Sequence, residues 1–146
     1  MGVLPLQSHD NGGKLYIVGT GPGELLQMTP RASKALEEAD CIIGNGFYLD
    51  LLGPMLAGKE VIRSGMGREV DRASRALALA GERVVAMVSG GDAGVYGMAS
   101  IVLEVAERSG TKVAVEVIPG ITAAISAAAL LGSPLSGDYV TMSLSD

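Results

Sequence analysis

Five short apolar runs, each followed by a segment with helical character, constrain this chain more than any other feature. The runs are "KLYIVG" (14–19), "CIIG" (41–44), "EVIRSG" (60–65), "ERVVAMVS" (82–89) and "KVAVEVIPG" (112–120). The first is apolar and stopped by glycine, which suits a buried parallel strand. Between the runs, "TPRASKALEEAD" (29–40) has a capping Thr29, Pro30 at the first helical position, and Ala32, Ala35, Leu36 and Ala39 on one face. "FYLDLLGPML" (47–56) is a short helical segment broken at Gly53-Pro54. "REVDRASRALALAG" (68–81) is a helix ended by Gly81, and Arg68, Glu69, Asp71, Arg72 and Arg75 read as its solvated face. "MASIVLEVAERSG" (98–110) carries a stripe of Met98, Ile101, Val102, Val105 and Ala106. "ITAAISAAALLG" (121–132) is apolar nearly all round, so a buried helix is expected. Strands alternating with helices imply βαβ units. The expected fold is a three-layer α/β/α domain with a mainly parallel five-stranded sheet. Ligands of such sheets bind at the carboxyl ends of the strands.

Length and charge narrow the function. The 146 residues fit one domain, with residues 1–13 a flexible leader and 14–146 the folded unit. A chain this long buries roughly 68–70% of its unfolded surface, so neither metal nor disulfide is required. Aromatics are only 3% and the formal charge is -5, which argues against a nucleic-acid partner. Cys41 lies in an apolar run and reads as a small buried hydrophobe; no metal-ligand spacing occurs. His9 falls in the polar leader. No cationic, apolar signal sequence opens the chain, and "AAISAAALL" is too short to span a bilayer. A cytoplasmic protein with no membrane partner is expected.

Three strand ends are glycine-rich: "GTGPGE" (19–24), "SGGDAGVYG" (89–97) and "IPGITAA" (118–124). Each alone suits a tight turn, but three at one sheet edge point to a ligand site. It is not a dinucleotide site of the usual kind. The G-x-G-x-x-G pattern would need glycine where Glu24 stands, Pro22 interrupts it, and Asn45 replaces the acid expected after the second strand. No phosphate-binding G-x-x-x-x-G-K-[ST] is present.

The ordered segments "VGTGPGELLQMTPRASKALEEAD", "SGGDAGVYGMA" and "EVIPGITAAISAAALLGSPL" resemble the tetrapyrrole (corrin/porphyrin) methylases. The resemblance covers about residues 14–146 and is nearest to the precorrin-3B C(17)-methylating branch, through "FYLDLL" (47–52), "GDAGVYGMA" (91–99) and "SGDYVTMSLSD" (136–146). It implies the N-terminal domain of a two-domain enzyme of cobalamin biosynthesis, with the C-terminal domain absent from this chain. The implied reaction is S-adenosylmethionine-dependent methylation of precorrin-3B or cobalt-factor III at ring carbon 17, with ring contraction. The implied cofactor contacts are Pro22, Gly90, Gly91, Asp92, Val95, Thr122 and Ala123. Each has a plainer reading: Pro22 a turn residue, Asp92 a helix cap, Thr122 a helix cap. Backbone at Gly90, Gly91 and Gly94 would approach the cofactor closely. No catalytic residue is assigned, and Asp92, Tyr96 and Glu24 are the candidate acids or bases. Ala93 stands where many relatives have proline, a change expected to alter loop stiffness and not chemistry. A homodimer is implied as well. The alternatives are another methylase of the family (precorrin-4 or precorrin-2), diphthine synthase, a non-catalytic metabolite-binding module, or an assembly domain.

Overall fold

The computed structural model describes residues 12–144. His9 and all but the last two residues of the expected leader lie outside this range. Five parallel strands form one sheet: β1 (Lys14–Gly19), β2 (Cys41–Asn45), β3 (Glu60–Ser64), β4 (Val84–Ser89) and β5 (Ala114–Ile118), in the order β3-β2-β4-β1-β5. The helices are α1 (Pro30–Glu38), α2 (Gly46–Leu52), α3 (Glu69–Leu79), α4 (Ala99–Ser109) and α5 (Ala123–Leu130). The three-layer α/β/α expectation therefore holds, with each strand within a few residues of its apolar run.

The order of strands dictates the layers. From β1 the chain moves through α1 and α2 toward β3, and from β3 it returns through α3 and α4 to β4 and β5. With right-handed crossovers, opposite directions of travel place the two helix pairs on opposite faces. The core divides accordingly. Leu36, Leu49 and Leu52 pack with Tyr16, Val18, Ile42 and Val88 on one face. Ala73, Ala76, Leu77 and Val102 pack with Leu15, Ile17, Ile43 and Met87 on the other. Cys41 belongs to this second layer, and burial pushes its thiol above the usual range, aided by the nearby Glu60 carboxylate. Local chemistry agrees: Thr29 Oγ1 accepts from Ala32 N at 3.1 Å, and Pro30 opens α1. The segment after α2 breaks at Gly53 into a single 3-10 turn, Gly53–Leu56, as the Gly-Pro pair predicts.

Two expectations fail. Arg72 is not on a solvated face: it is 5% exposed and lies beside the α3 core residues Ala73 and Ala76. The buried positions 72, 73, 76, 77 and 80 form one helical stripe, so the packing face overrides the charge. The second is α5, expected to be buried. Only Ser126 of its residues is buried, while Ile125, Leu130 and Leu131 are exposed. It follows β5, an edge strand, and uniform apolarity tells what a helix must cover without supplying the cover.

Candidate functional site at the strand carboxyl ends

Strand β4 lies between β2 and β1, and the connections leaving its two neighbours go to the face opposite α4. Both sides of β4 are thus switch points, where the departing loops separate and leave a crevice. The glycine-rich loops gather here.

Gly21 and Gly91 exchange backbone hydrogen bonds of 3.0 and 2.7 Å, an isolated antiparallel bridge between loops whose parent strands are parallel. Thr20 N donates to Ser89 O at 2.9 Å, extending the β1–β4 ladder to that point. Asp92 ties in the third loop: its Oδ2 accepts from Gly120 N at 2.9 Å and its Oδ1 from Gly94 N at 2.8 Å. Asp92 does not cap α4, whose N-cap position is Met98 without a side-chain cap. Its carboxylate instead pins the β4 loop to the β5 loop, leaving a negative charge where the three loops meet.

The glycines at this edge have different reasons. A Cβ on Gly120 would stand 2.2 Å from Gly91 O, so Gly120 exists for backbone crossing backbone. A Cβ on Gly90 would stand 2.2 Å from the Tyr48 ring, which occupies that space. At both, the close approach comes from the protein itself. Gly91 differs. Its φ is +65°, favoured by glycine, and a Cβ there would find nothing nearer than Thr122 Cα at 3.7 Å and Ala123 N at 3.8 Å. Gly91 therefore lies against the start of α5 with room for a Cβ in ordinary contact and little more.

All but one of the sequence-predicted residues fall in one neighbourhood. Pro22 follows the Gly21–Gly91 bridge directly, and Gly91 faces Thr122 and Ala123. Val95 N donates to Asp92 O at 3.2 Å, closing the β4 loop. Thr122 caps α5, its Oγ1 accepting from Ile125 N at 3.3 Å. Gly90 sits apart from this group, beneath Tyr48 on the β2 side. Of the candidate acids and bases, Glu24 is an exposed loop residue and Tyr96 is 69% exposed, its OH donating to Thr141 O at 3.1 Å. Tyr96 holds φ at +51°, a strained conformation for a bulky residue.

Sequence reasoning missed a second feature on the other side of β4. A cleft of ≈ 150 Å³ is lined by Asn45, Tyr48, Glu69, Arg72, Ser89 and Tyr96, among others. Its most unusual wall is Arg72. Nη1 donates to Ser64 Oγ and to Gly65 O, the latter at 3.2 Å. Nη2 makes a long ion pair with Glu69 Oε1 and an N–H···S contact with Met98 Sδ, both at 3.5 Å, and Nε has no partner. The signal available beforehand was the stripe spacing of Arg72 with Ala73, Ala76 and Leu77.

Comparison with known proteins bears on what these loops do. The "Probable cobalt-factor III C(17)-methyltransferase" of Salmonella typhimurium is 44% identical over 133 residues, which are 90% of this chain and 55% of that protein. Across curated relatives the covered share runs from 26% to 55%, so the chain spans about half their length or less. The solved structure of the methyltransferase CobJ superposes with a TM-score of 0.85 at 37% identity, over 92% of this chain and 57% of the other. Uroporphyrin-III C-methyl transferase from Thermus thermophilus, solved with S-adenyl homocysteine, gives a TM-score of 0.64 at 30% identity over 86% of this chain and 54% of the other. Residues 14–146 match a single family description, and the chain belongs to the Tetrapyrrole (Corrin/Porphyrin) Methylases.

Proposed function

We propose that this chain forms the N-terminal wall of an S-adenosylmethionine-dependent methyltransferase that methylates precorrin-3B or cobalt-factor III at ring carbon 17. The observation that carries the reading is the meeting of the three glycine-rich strand ends at Gly91. Gly91 pairs with Gly21, which precedes Pro22, and a Cβ there would just touch the backbone of Ile121, Thr122 and Ala123. These residues fit the cofactor. Thr122 caps Ile125 N, while the N–H groups of Ala123 and Ala124 have no acceptor within the helix and suit a carboxylate, and the Asp92 charge suits an ammonium or sulfonium cation. Bound there, the cofactor supplies an electrophilic methyl group. The chain's part is to fix its orientation through backbone contacts and to exclude water from the line of transfer. Asp92, held by two backbone N–H groups, is positioned as a fixed charge; the ring contraction needs proton-transfer groups that this wall does not assign.

A second wall completes the site. The support is the exposed apolar surface of α5, together with relatives about twice as long. The proposed second domain covers Ile125, Leu130 and Leu131, either in the same polypeptide or as a separate chain. The assembly is proposed as a cytoplasmic homodimer. The test is transfer of labelled methyl from adenosylmethionine to cobalt-factor III or precorrin-3B by the protein with its second domain. Mass analysis of the product should locate the methyl at carbon 17. Methylation at another ring position would assign a different branch of the family, and adenosylmethionine binding without transfer would favour a metabolite-binding module.

A further inference from the structure

The cleft on the β2 side of β4 is walled by a cation with an under-paired edge. Arg72 is 5% exposed, and burying an arginine without full pairing is costly. Its Nη1 is used by Ser64 and Gly65, which hold the β3–α3 loop. The other edge of the guanidinium, Nε with Nη2, is where a carboxylate binds with two parallel hydrogen bonds. On that edge Nε has no partner and Nη2 reaches only Glu69 and Met98, both at 3.5 Å. Glu69 is itself engaged, its Oε1 accepting from Gly67 N at 3.1 Å. Met98 is a flexible thioether that can move aside at little cost. A buried donor left idle beside a cleft calls for an acceptor from outside the chain.

We propose that Arg72 is a substrate-positioning residue that binds a peripheral carboxylate of the macrocycle through Nε and Nη2. This rests on the methylase reading above, because tetrapyrrole precursors carry acetate and propionate side chains. The cleft adjoins Gly90 and Tyr96, so a carboxylate anchored at Arg72 would set how the ring lies against the β4 loop. Glu69 is the competing anion: it shields Arg72 when the cleft is empty and opposes the incoming carboxylate.

The test uses the protein with its second domain and two separate titrations, uroporphyrin III by fluorescence quenching and adenosylmethionine by calorimetry. Arg72→Gln should weaken uroporphyrin binding about tenfold or more, the scale of one charge-assisted pair, and leave adenosylmethionine binding within twofold. Arg72→Lys should recover only part of the loss, because a point charge cannot make the paired contact. Glu69→Gln keeps the acceptor for Gly67 N but removes the competing charge, so it should tighten uroporphyrin binding severalfold. Unchanged porphyrin affinity in folded Arg72→Gln, or equal loss of both ligands, would overturn the assignment. Should Arg72→Gln fail to fold, Glu69→Gln decides: tightening supports the role, and unchanged or weaker binding refutes it. A wild-type protein that binds adenosylmethionine but no porphyrin also refutes it, whereas failure to bind adenosylmethionine removes the methylase reading itself.

Discussion

Gly21 and Gly91 pair antiparallel, with hydrogen bonds of 3.0 and 2.7 Å, at the ends of two strands that run parallel. The loops leaving β1 and β4 therefore turn toward each other before their helices diverge to opposite faces. That reversal ties the two loops together at one edge of the crevice. Pro22 and Asp92, the residues immediately after the pair, are delivered to its rim.

Gly91→Ala separates conformation from space. The left-handed backbone at Gly91 costs an L-residue about 1–2 kcal/mol, and no atom lies closer than 3.7 Å to the new methyl. Stability should fall by about that amount, and adenosylmethionine affinity should fall more than tenfold because the methyl takes up the clearance between Gly91 and the start of α5. Paired thermal melts and calorimetric titrations read both. Stability lost with affinity intact would reduce Gly91 to a turn residue.

Gly120→Ala should behave in the opposite way. Its Cβ would meet Gly91 O at 2.2 Å and Gly19 O at 2.7 Å, both backbone atoms that cannot rotate away. Overpacking of this kind costs roughly 1–3 kcal/mol or more. The melting temperature should drop before any ligand is added, and the Asp92–Gly120 hydrogen bond should be lost with it. A Gly120→Ala protein as stable as wild type would mean that the three loops are not locked together.

These two glycines also mark how far the sequence could be read. All five strands and the break at Gly53 followed from apolar runs and from turn residues, because those signals are local. The crowding of glycine at the strand ends was equally visible. What it could not tell was the identity of the atom approaching each one: Tyr48 at Gly90, a carbonyl at Gly120, the backbone at the start of α5 at Gly91. Those are contacts between segments far apart in the chain. Arg72 was misread because its charge was weighed above its position in the stripe, and α5 because its apolarity speaks of a need and not of a neighbour.

Acid stability should respond to Glu116. Burial tends to raise its pKa, but hydrogen bonds from Lys14 at 2.6 Å and from Arg31 outweigh burial and hold the carboxyl below the usual glutamate range. A carboxyl depressed in the folded state stabilises the fold above its unfolded value, and this contribution is lost as pH falls through the folded value. The loss therefore begins near the ordinary glutamate pKa of about 4.3 and continues below it. Glu116→Gln should be less stable than wild type at pH 7. Its stability should also decline less steeply below about pH 4.3, as followed by urea unfolding across pH. Identical acid limbs for the two proteins would show that the ion pairs of Glu116 with Lys14 and Arg31 contribute nothing.

The exposed face of α5 makes the last test. Leu130, the last residue of α5, is 83% exposed and Leu131, its C-cap, 79%, and the only buried residue of the helix is Ser126. Apolar side chains presented together on a surface bind a partner or drive association. Residues 1–146 produced alone should therefore self-associate, and Leu130→Glu with Leu131→Lys should shift them toward monomer in sedimentation. The same pair of changes in the protein with its second domain should loosen the two walls. Methyl transfer should then fall by at least tenfold, because donor and acceptor must be held in line at near-contact distance. Adenosylmethionine binding should weaken in parallel, since half of its enclosure is lost. Full activity in the doubly substituted protein would mean that α5 does not face the second wall. Unsubstituted residues 1–146 that stay monomeric and transfer methyl as fast alone as with the proposed second domain would refute the two-wall site altogether.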